Sequence, residues 1–175
     1  AVIATRDVRK AINVLHEEFF ETTYKQVNLF IAGTGNVGAK LIGQLQQQAA
    51  VLSQRLRLQV RVAGLSNSRH RLIKEEGIDL GKWREELEAG QPADIDQFVS
   101  EAIARNLRNS IFVDVTANEK VASVYDKLLQ KSISVVACNK IAASSAYENY
   151  QRLKELAGEF NSRFLFETNV GAGLP

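Results

Sequence analysis

The stretch that most limits the possible folds is VNLFIAGTGNVGAK at residues 27–40, an apolar run that ends in Gly33, Gly35 and Gly38. A glycine cluster indicates a local need, such as a positive φ or close approach of another group to the main chain, because glycine loses much backbone entropy on folding. The run KQVNLFIA is almost continuously apolar, which is typical of a strand covered on both faces. After the glycines, apolar residues recur at close to helical spacing as far as Leu52. The segment therefore predicts a strand, a glycine turn and a helix.

The rest of the chain continues this alternation. Four more strands are predicted, in LRLQVRVAGLSNS (beginning at Leu56 and ending near Asn67), SIFVDVTAN, ISVVACNK and RFLFETN. Helices are predicted in EKVASVYDKLLQKS and SSAYENYQRLKELAGEF, and from Asp94 or Asp96 as N-cap to about Arg105. A short helix and loops are expected over residues 69–92. The pattern predicts an α/β fold of the Rossmann type, a doubly wound, mostly parallel sheet with helices on both faces.

The opening segment, TRDVRKAINVLHEEFF, predicts an amphipathic helix with Thr5 or Asp7 as its N-cap. Its apolar stripe consists of Val8, Ile12, Leu15 and Phe19. The chain has no methionine, begins AVIATRDV and stops just after the glycines and proline of ETNVGAGLP. Both ends are therefore expected to be cuts in a longer protein.

Composition argues against several classes of function. The net charge is +2 with acidic and basic residues mixed throughout, so no nucleic-acid partner is expected. No stretch approaches the roughly 20 apolar residues of a membrane span, and the start lacks the features of a secretory signal. The single cysteine, Cys138, fits a reducing compartment and is expected to be a small buried residue. We expect a cytoplasmic protein that binds neither nucleic acid nor membrane.

The three glycines follow a predicted strand and open a predicted helix, as the dinucleotide fingerprint G-x-G-x-x-G requires. Gly33 would make the tight turn, Gly35 would let a pyrophosphate approach the main chain, and Gly38 would let the helix pack close to the strand. The helix N-terminus would attract the phosphate charge. The alternative is a glycine-rich turn that packs tightly without a ligand. The expected cofactor-binding residues here are Gly33, Thr34, Gly35, Asn36, Val37 and Gly38.

The end of the second strand lacks the acid that usually binds the ribose 2′-hydroxyl of the adenosine. It offers Asn67, Ser68 and Arg69 instead, which suit a 2′-phosphate better than a bare hydroxyl. NADP is therefore the expected cofactor, with NAD as the alternative. Arg69 is otherwise a solvated loop charge, and Arg71 is a candidate to take its place.

Two later strands also end in polar residues, at the edge where ligands bind in open α/β sheets. Thr116, Ala117 and Asn118 are expected to line the nicotinamide ribose, unless Thr116 or Asn118 simply caps the next helix. Asn139 and Lys140 end the following strand. The Lys140 ammonium is expected to bond a ribose hydroxyl or to polarise a carbonyl oxygen as hydride arrives, the alternative being a surface lysine.

The remaining candidates are assigned no chemistry. His16 and His70 have no second ligand at metal spacing. The aromatic residues expected to serve only in packing are Phe19, Phe20, Trp83 and Tyr147.

Four motifs, FIAGTGNVGAKLIGQL, GLSNSR, VVACNKIAASS and especially FETNVGAGLP, give the chain a resemblance to the cofactor domain of homoserine dehydrogenase over about residues 27–175. The opening helix resembles the end of the regulatory region that precedes this domain in bifunctional aspartokinase/homoserine dehydrogenases. The resemblance implies three parts. These are the end of the regulatory region or a linker (1–25), a dinucleotide-binding domain (26–168) and the start of a truncated substrate domain (169–175).

The resemblance also implies an activity, the reversible NAD(P)H-dependent reduction of aspartate 4-semialdehyde to homoserine on the route to threonine and methionine. Lys140 matches the family lysine near the nicotinamide and substrate. The family's monovalent cation, usually sodium, would be held by the Glu167 side chain and by main-chain carbonyls, as suits a hard cation; Glu167 alternatively caps local main chain. Those carbonyls map to Val170, Ala172 and Leu174.

Without the family's substrate domain, this piece is expected to bind cofactor but to turn over poorly. The parent is expected to be a homo-oligomer. The rival interpretations are a non-catalytic NAD(H)-sensing module and a methyltransferase, and FETNVGAGLP counts against both.

Overall fold

The computed structural model describes Val8, Ala11, Ile12 and residues 24–166, and it contains one sheet of seven strands. The strands are β1 Lys25–Ala32, β2 Leu58–Ser66, β3 His70–Ile73, β4 Gln91–Pro92, β5 Ser110–Asp114, β6 Ser134–Ala137 and β7 Phe164–Leu165. Their order is β4-β3-β2-β1-β5-β6-β7. All neighbouring strands are parallel except the pairs that β3 forms with β2 and β4. The predicted α/β fold with a mostly parallel sheet is confirmed.

Seven helices lie among the residues from 24 to 166. They are α1 Asn36–Leu56, α2 Trp83–Glu88, α3 Ile95–Arg105, α4 Glu119–Ala122, α5 Tyr125–Leu129, α6 Ile141–Ser144 and α7 Tyr147–Glu159. Asp94 caps α3 as predicted, since its Oδ1 accepts a hydrogen bond of 3.0 Å from the Gln97 N–H.

The sheet is covered on both faces because consecutive side chains of a strand point in opposite directions. In β1, Phe30 and Ala32 pack into one core, and Leu29 and Ile31 into the other. The Phe30 core receives α3, α5 and α7, whereas the Ile31 core receives α1 and α2. Burial on both faces explains why KQVNLFIA is apolar without alternation.

The prediction for residues 69–92 was incomplete, because these residues contain β3 and β4 as well as the short helix α2. Both strands are too short to show a period in the sequence, and they are stabilised by pairing outward from β2. The start of the second strand was also misplaced. Leu56 still belongs to α1, and Arg57, in left-handed conformation with φ 50°, ends that helix.

The helix predicted in EKVASVYDKLLQKS is broken in two, into α4 and α5, whereas the helix predicted in SSAYENYQRLKELAGEF is α7, preceded by the short helix α6 that was not predicted. The break places Tyr125 at the start of α5, where it is fully buried against the sheet. Trp83 packs in the core as predicted, whereas Tyr147 is 70% exposed, so the packing role expected for Tyr147 is wrong.

The N-terminal predictions fall mostly outside the described residues, including the caps Thr5 and Asp7 and the residues Leu15, His16, Phe19 and Phe20. Val8, Ala11 and Ile12 are helical, and the side chains of Val8 and Ile12 are exposed. Of the helices placed within 24–166, none combines the length and apolar character needed to cross a bilayer.

Candidate cofactor site

The carboxyl ends of four strands meet at one edge of the sheet. Ala32 at the end of β1 is paired with Ser66 of β2 on one side and with Asp114 of β5 on the other. Asp114 is paired in turn with Ala137 of β6. The four predicted site segments directly follow these strands, so the fold brings them to the edge where α/β sheets bind ligands.

Gly33 makes the tight turn predicted for it. Its φ is 101°, a conformation that residues with a side chain rarely adopt, and its N–H donates to the Ser66 carbonyl oxygen at 2.7 Å. A Cβ at this position would lie 2.9 Å from the Val115 carbonyl oxygen and 3.0 Å from the Thr116 Cγ2. The turn is therefore closed against the neighbouring strand end, and only glycine fits.

Gly38 permits close packing of α1 on the glycine turn, also as predicted. A Cβ on Gly38 would lie 2.0 Å from the carbonyl oxygen of Gly33. That oxygen is a main-chain atom. Its turn is held on one side by the hydrogen bond from the Gly33 N–H to Ser66 and lies close to the Val115 main chain on the other. The start of α1 thus depends on the absence of a side chain here.

Gly35 differs from the other two glycines because its surroundings are open. It is the N-cap of α1 with extended backbone (φ −69°, ψ −156°), and a Cβ there would lie within 4 Å of no atom of residues 24–166 other than its own chain neighbours. Residues 35–37 are exposed, and the first turn of α1 carries no acidic side chain. The first N–H groups of a helix have no intrahelical acceptor, so this open main chain fits an anionic pyrophosphate.

The residues after β2 form a tight turn around Asn67. Its Oδ1 accepts hydrogen bonds of 2.7 Å from the N–H groups of Arg69 and His70, and its own N–H donates to the His70 carbonyl oxygen. Ser68 and Arg69 are left exposed at the tip. Within residues 24–166, no carboxylate forms an ion pair with Arg69. Its guanidinium is therefore available to an anion.

Arg71 is not available in this way. It is 6% exposed, and its guanidinium donates to Gln91 Oε1 at 2.6 Å, to Gln97 Oε1 at 2.5 Å and to Glu101 Oε1. These acceptors tie β3 to β4 and α3, so Arg71 is a structural residue. The alternative in which Arg71 takes the place of Arg69 is wrong.

The Thr116 methyl group, just after β5, lies against the glycine turn. A Cβ added to Gly33 would be only 3.0 Å from it. Asn118 is the N-cap of α4, with its Oδ1 accepting from the Lys120 N–H at 2.8 Å. The capping role is thus confirmed for Asn118. The role of Thr116 and Ala117 in lining a ribose stays a prediction.

Lys140 is exposed at the end of β6 and is the N-cap of α6. The residue before it, Asn139, is 1% exposed, and its Oδ1 accepts from the Ile141 N–H at 3.1 Å. Asn139 Nδ2 donates to the Asn118 carbonyl oxygen at 3.0 Å. The main chain that carries Lys140 is therefore fixed to the loop after β5.

Sequence reasoning missed Asp114, whose side chain is central to this edge. Its Oδ1 accepts from the Thr116 N–H at 2.7 Å, and its Oδ2 accepts from the Tyr125 hydroxyl at 2.6 Å and from Asn139 Nδ2 at 3.0 Å. Burial, followed by the neighbouring Asp114, raises the pKa of Tyr125 above its usual value, so this hydroxyl stays protonated and donates. An aspartate inside the apolar run IFVDV was the available signal.

The predicted cation ligands Glu167, Val170, Ala172 and Leu174 lie outside the described residues. Among the residues the structure describes, no group of His, Cys, Asp or Glu is placed to hold a metal ion. Cys138 is partly buried rather than fully so.

Comparisons with known proteins agree with this arrangement. The family model described as the homoserine dehydrogenase NAD binding domain matches residues 33–167. Over 99% of its length, the chain is 39% identical to a bifunctional aspartokinase/homoserine dehydrogenase of Arabidopsis thaliana, of which it covers 19%. Over its whole length it is 36% identical to the bifunctional protein of Haemophilus influenzae, of which it covers 21%. The chain thus spans about a fifth of the length of these relatives.

Solved structures show the same fold. A Candida auris protein of unknown function has a TM-score of 0.72 at 27% identity, covering 86% of this chain and 41% of that one. A hyperthermophilic archaeal homoserine dehydrogenase, solved in complex with NADPH, has a TM-score of 0.66 at 24% identity, with coverage of 83% and 45%.

Proposed function

Because this chain belongs to the homoserine dehydrogenase NAD-binding domain family, we propose that it is the cofactor-binding part of an enzyme that interconverts aspartate 4-semialdehyde and homoserine. The observation that carries the proposal is the contrast between the three glycines. Gly33 and Gly38 are closed by main-chain neighbours, whereas Gly35 is open to solvent at the N-terminus of α1. Packing does not require a glycine at the open position, and at an N-cap serine, aspartate or asparagine would serve the helix at least as well.

Similarity along the whole chain to bifunctional relatives supports a parent fused to aspartokinase, acting in threonine and methionine biosynthesis. In that parent, residues 1–25 would end the regulatory region or form a linker, 26–168 the cofactor domain and 169–175 the start of the substrate domain. Since the chain spans about a fifth of these relatives, we expect it to bind cofactor without completing catalysis. A homo-oligomeric parent and a cytoplasmic location stay predictions.

Each residue at the edge has a proposed task. The open main chain at Gly35 binds the pyrophosphate, Ser68 and Arg69 bind a 2′-phosphate, and the loop at Thr116 lines the nicotinamide ribose. When bound, NADPH would supply the hydride. The Lys140 ammonium would bond the carbonyl oxygen of the semialdehyde, where negative charge develops during reduction. A sodium ion held by Glu167 and the carbonyls after it remains part of the proposal.

Arg69→Ala is expected to weaken NADPH binding about tenfold and to leave NADH binding unchanged, since a charge-assisted hydrogen bond contributes about 1.5–3 kcal/mol. Titration of the chain with each cofactor, followed by nicotinamide fluorescence, measures both constants. The control is Arg55→Ala, which removes an exposed cation from the far end of α1. Tighter binding of NADH than of NADPH by the unaltered chain would contradict the NADP assignment.

Lys140→Ala in the full-length parent is expected to lower kcat for the semialdehyde about 100-fold, because a donor to the developing oxyanion is lost. The cofactor dissociation constant should change much less. Steady-state kinetics with the purified parent provide the measurement. Unchanged kcat and KM would remove Lys140 from the site.

A further inference from the structure

Asp114 has an unusual environment for a charged residue. Its side chain lies at the end of β5, which is paired with the central strand β1, and it is 0% exposed. Among the described residues no Lys, Arg or His forms an ion pair with it. Burying a carboxylate without a cation costs free energy of folding, so we expect a carboxylate at such a position to contribute to function.

Its contacts are those of an anion. The main-chain N–H of Thr116, the Tyr125 hydroxyl and the Asn139 amide all donate to its two oxygens. Asn139 Nδ2 cannot accept a hydrogen bond, and it shares Oδ2 with the Tyr125 hydroxyl, so a proton on Oδ2 would face a donor. The three donors thus match the two oxygens of a carboxylate, which only accept hydrogen bonds.

The position of this carboxylate connects it to the proposed site. One oxygen is 2.7 Å from the nitrogen of Thr116, in the loop assigned to the nicotinamide ribose. The other is 3.0 Å from the amide of Asn139, the residue before Lys140. The carboxylate is thus hydrogen-bonded to both segments between which the nicotinamide is expected to bind.

Resting on the proposed function, we infer that the buried Asp114 carboxylate makes this site favour the oxidised cofactor, whose nicotinamide ring is positively charged, over the neutral reduced form. The two forms differ by one positive charge on the ring. A fixed anion in a water-excluded position attracts that charge with little screening, whereas the exposed Lys140 ammonium opposes it through solvent. The anion would likewise stabilise the positive charge that develops on the ring as hydride leaves.

Asp114→Asn is the direct test, because it removes the charge and nearly keeps the shape. We expect the ratio of the NADP⁺ dissociation constant to the NADPH dissociation constant to rise about three- to tenfold. Isothermal titration calorimetry on the chain gives both constants. Asp114→Ser, a smaller neutral variant whose hydroxyl can still accept from the Thr116 N–H, provides the same comparison if the Asn variant does not fold.

Tyr125→Phe is the matched control, since it removes a hydrogen bond from the same carboxylate and leaves the charge in place. A purely structural role predicts that both variants weaken the two cofactor forms in parallel. Our inference predicts a changed ratio in the neutral Asp114 variant and an unchanged ratio in Tyr125→Phe. A neutral Asp114 variant that folds and keeps the ratio of the unaltered chain overturns it. Failure of the unaltered chain to bind either form would instead overturn the proposed function.

Discussion

Gly38→Ala is expected to destabilise the chain by about 3 kcal/mol and to abolish measurable cofactor binding. The new Cβ would lie 2.0 Å from the Gly33 carbonyl oxygen and 2.9 Å from the Gly33 carbonyl carbon. Both are main-chain atoms, and the turn that carries them is tied to Ser66. The methyl group therefore has to push α1 away from the end of β1, and overpacking of this kind commonly costs about 1–3 kcal/mol.

Gly43→Ala is the matched control for this change. It makes the same substitution in the interior of α1, where a Cβ would lie within 4 Å of no described residue outside its own stretch of helix. Alanine is a better helix former than glycine, so this variant should be more stable by about 0.5–1 kcal/mol. Urea unfolding followed by circular dichroism compares both variants with the unaltered chain. Equal stability of the Gly38 and Gly43 variants would show that the close contact with Gly33 is absent.

The sequence predicted β1, the glycine turn and α1 well because long patterns determine them. KQVNLFIA coincides with β1, and the helical spacing after Gly38 is that of α1. The structural roles predicted for Gly33 and Gly38 are confirmed, because a Cβ at either position would clash with neighbouring atoms. The G-x-G-x-x-G fingerprint implies these close contacts, so the sequence alone could predict them.

The strands β3 and β4 could not be predicted in the same way. A four-residue and a two-residue strand carry almost no period, and β4 pairs with β3 across the intervening helix α2. The end of β2 shows a related limit. The sequence has two arginines there, and it does not distinguish them. In the structure Arg71 is buried and donates to Glu101 and two glutamines, whereas Arg69 is exposed.

Asp114 shows why part of the site was missed. Sequence patterns report residue type, whereas the importance of this carboxylate comes from its burial and from donors after β6 and on α5. Those partners follow Asp114 by 11 and 25 residues, so no local motif reveals them. Tyr147 is the converse case, an aromatic residue expected in the core that lies on the surface.

Gly35→Asp is expected to lower cofactor affinity about 100-fold, or about 2.8 kcal/mol, without lowering stability. Among the residues the structure describes, none beyond its chain neighbours lies within 4 Å of a Cβ here, so residues 24–166 offer the side chain no steric resistance. Aspartate is a favourable N-cap, and its charge interacts well with the N-terminus of α1. The unliganded chain should therefore be about 0.5 kcal/mol more stable than with glycine.

The loss of affinity has two causes that can be separated. The new side chain occupies the place through which the pyrophosphate reaches the main chain, and its charge repels the phosphates. Gly35→Ser adds bulk without charge and is also a good N-cap. We expect it to weaken binding about tenfold, with the remainder of the effect of Gly35→Asp due to electrostatic repulsion.

The central claim is that a dinucleotide pyrophosphate binds the open main chain at Gly35, and one paired measurement tests it most directly. The NADPH dissociation constant and the free energy of unfolding are measured for the unaltered chain and for Gly35→Asp. Our account predicts a dissociation constant about 100-fold higher together with a free energy of unfolding that is equal or greater. An unchanged dissociation constant in the folded variant would contradict it.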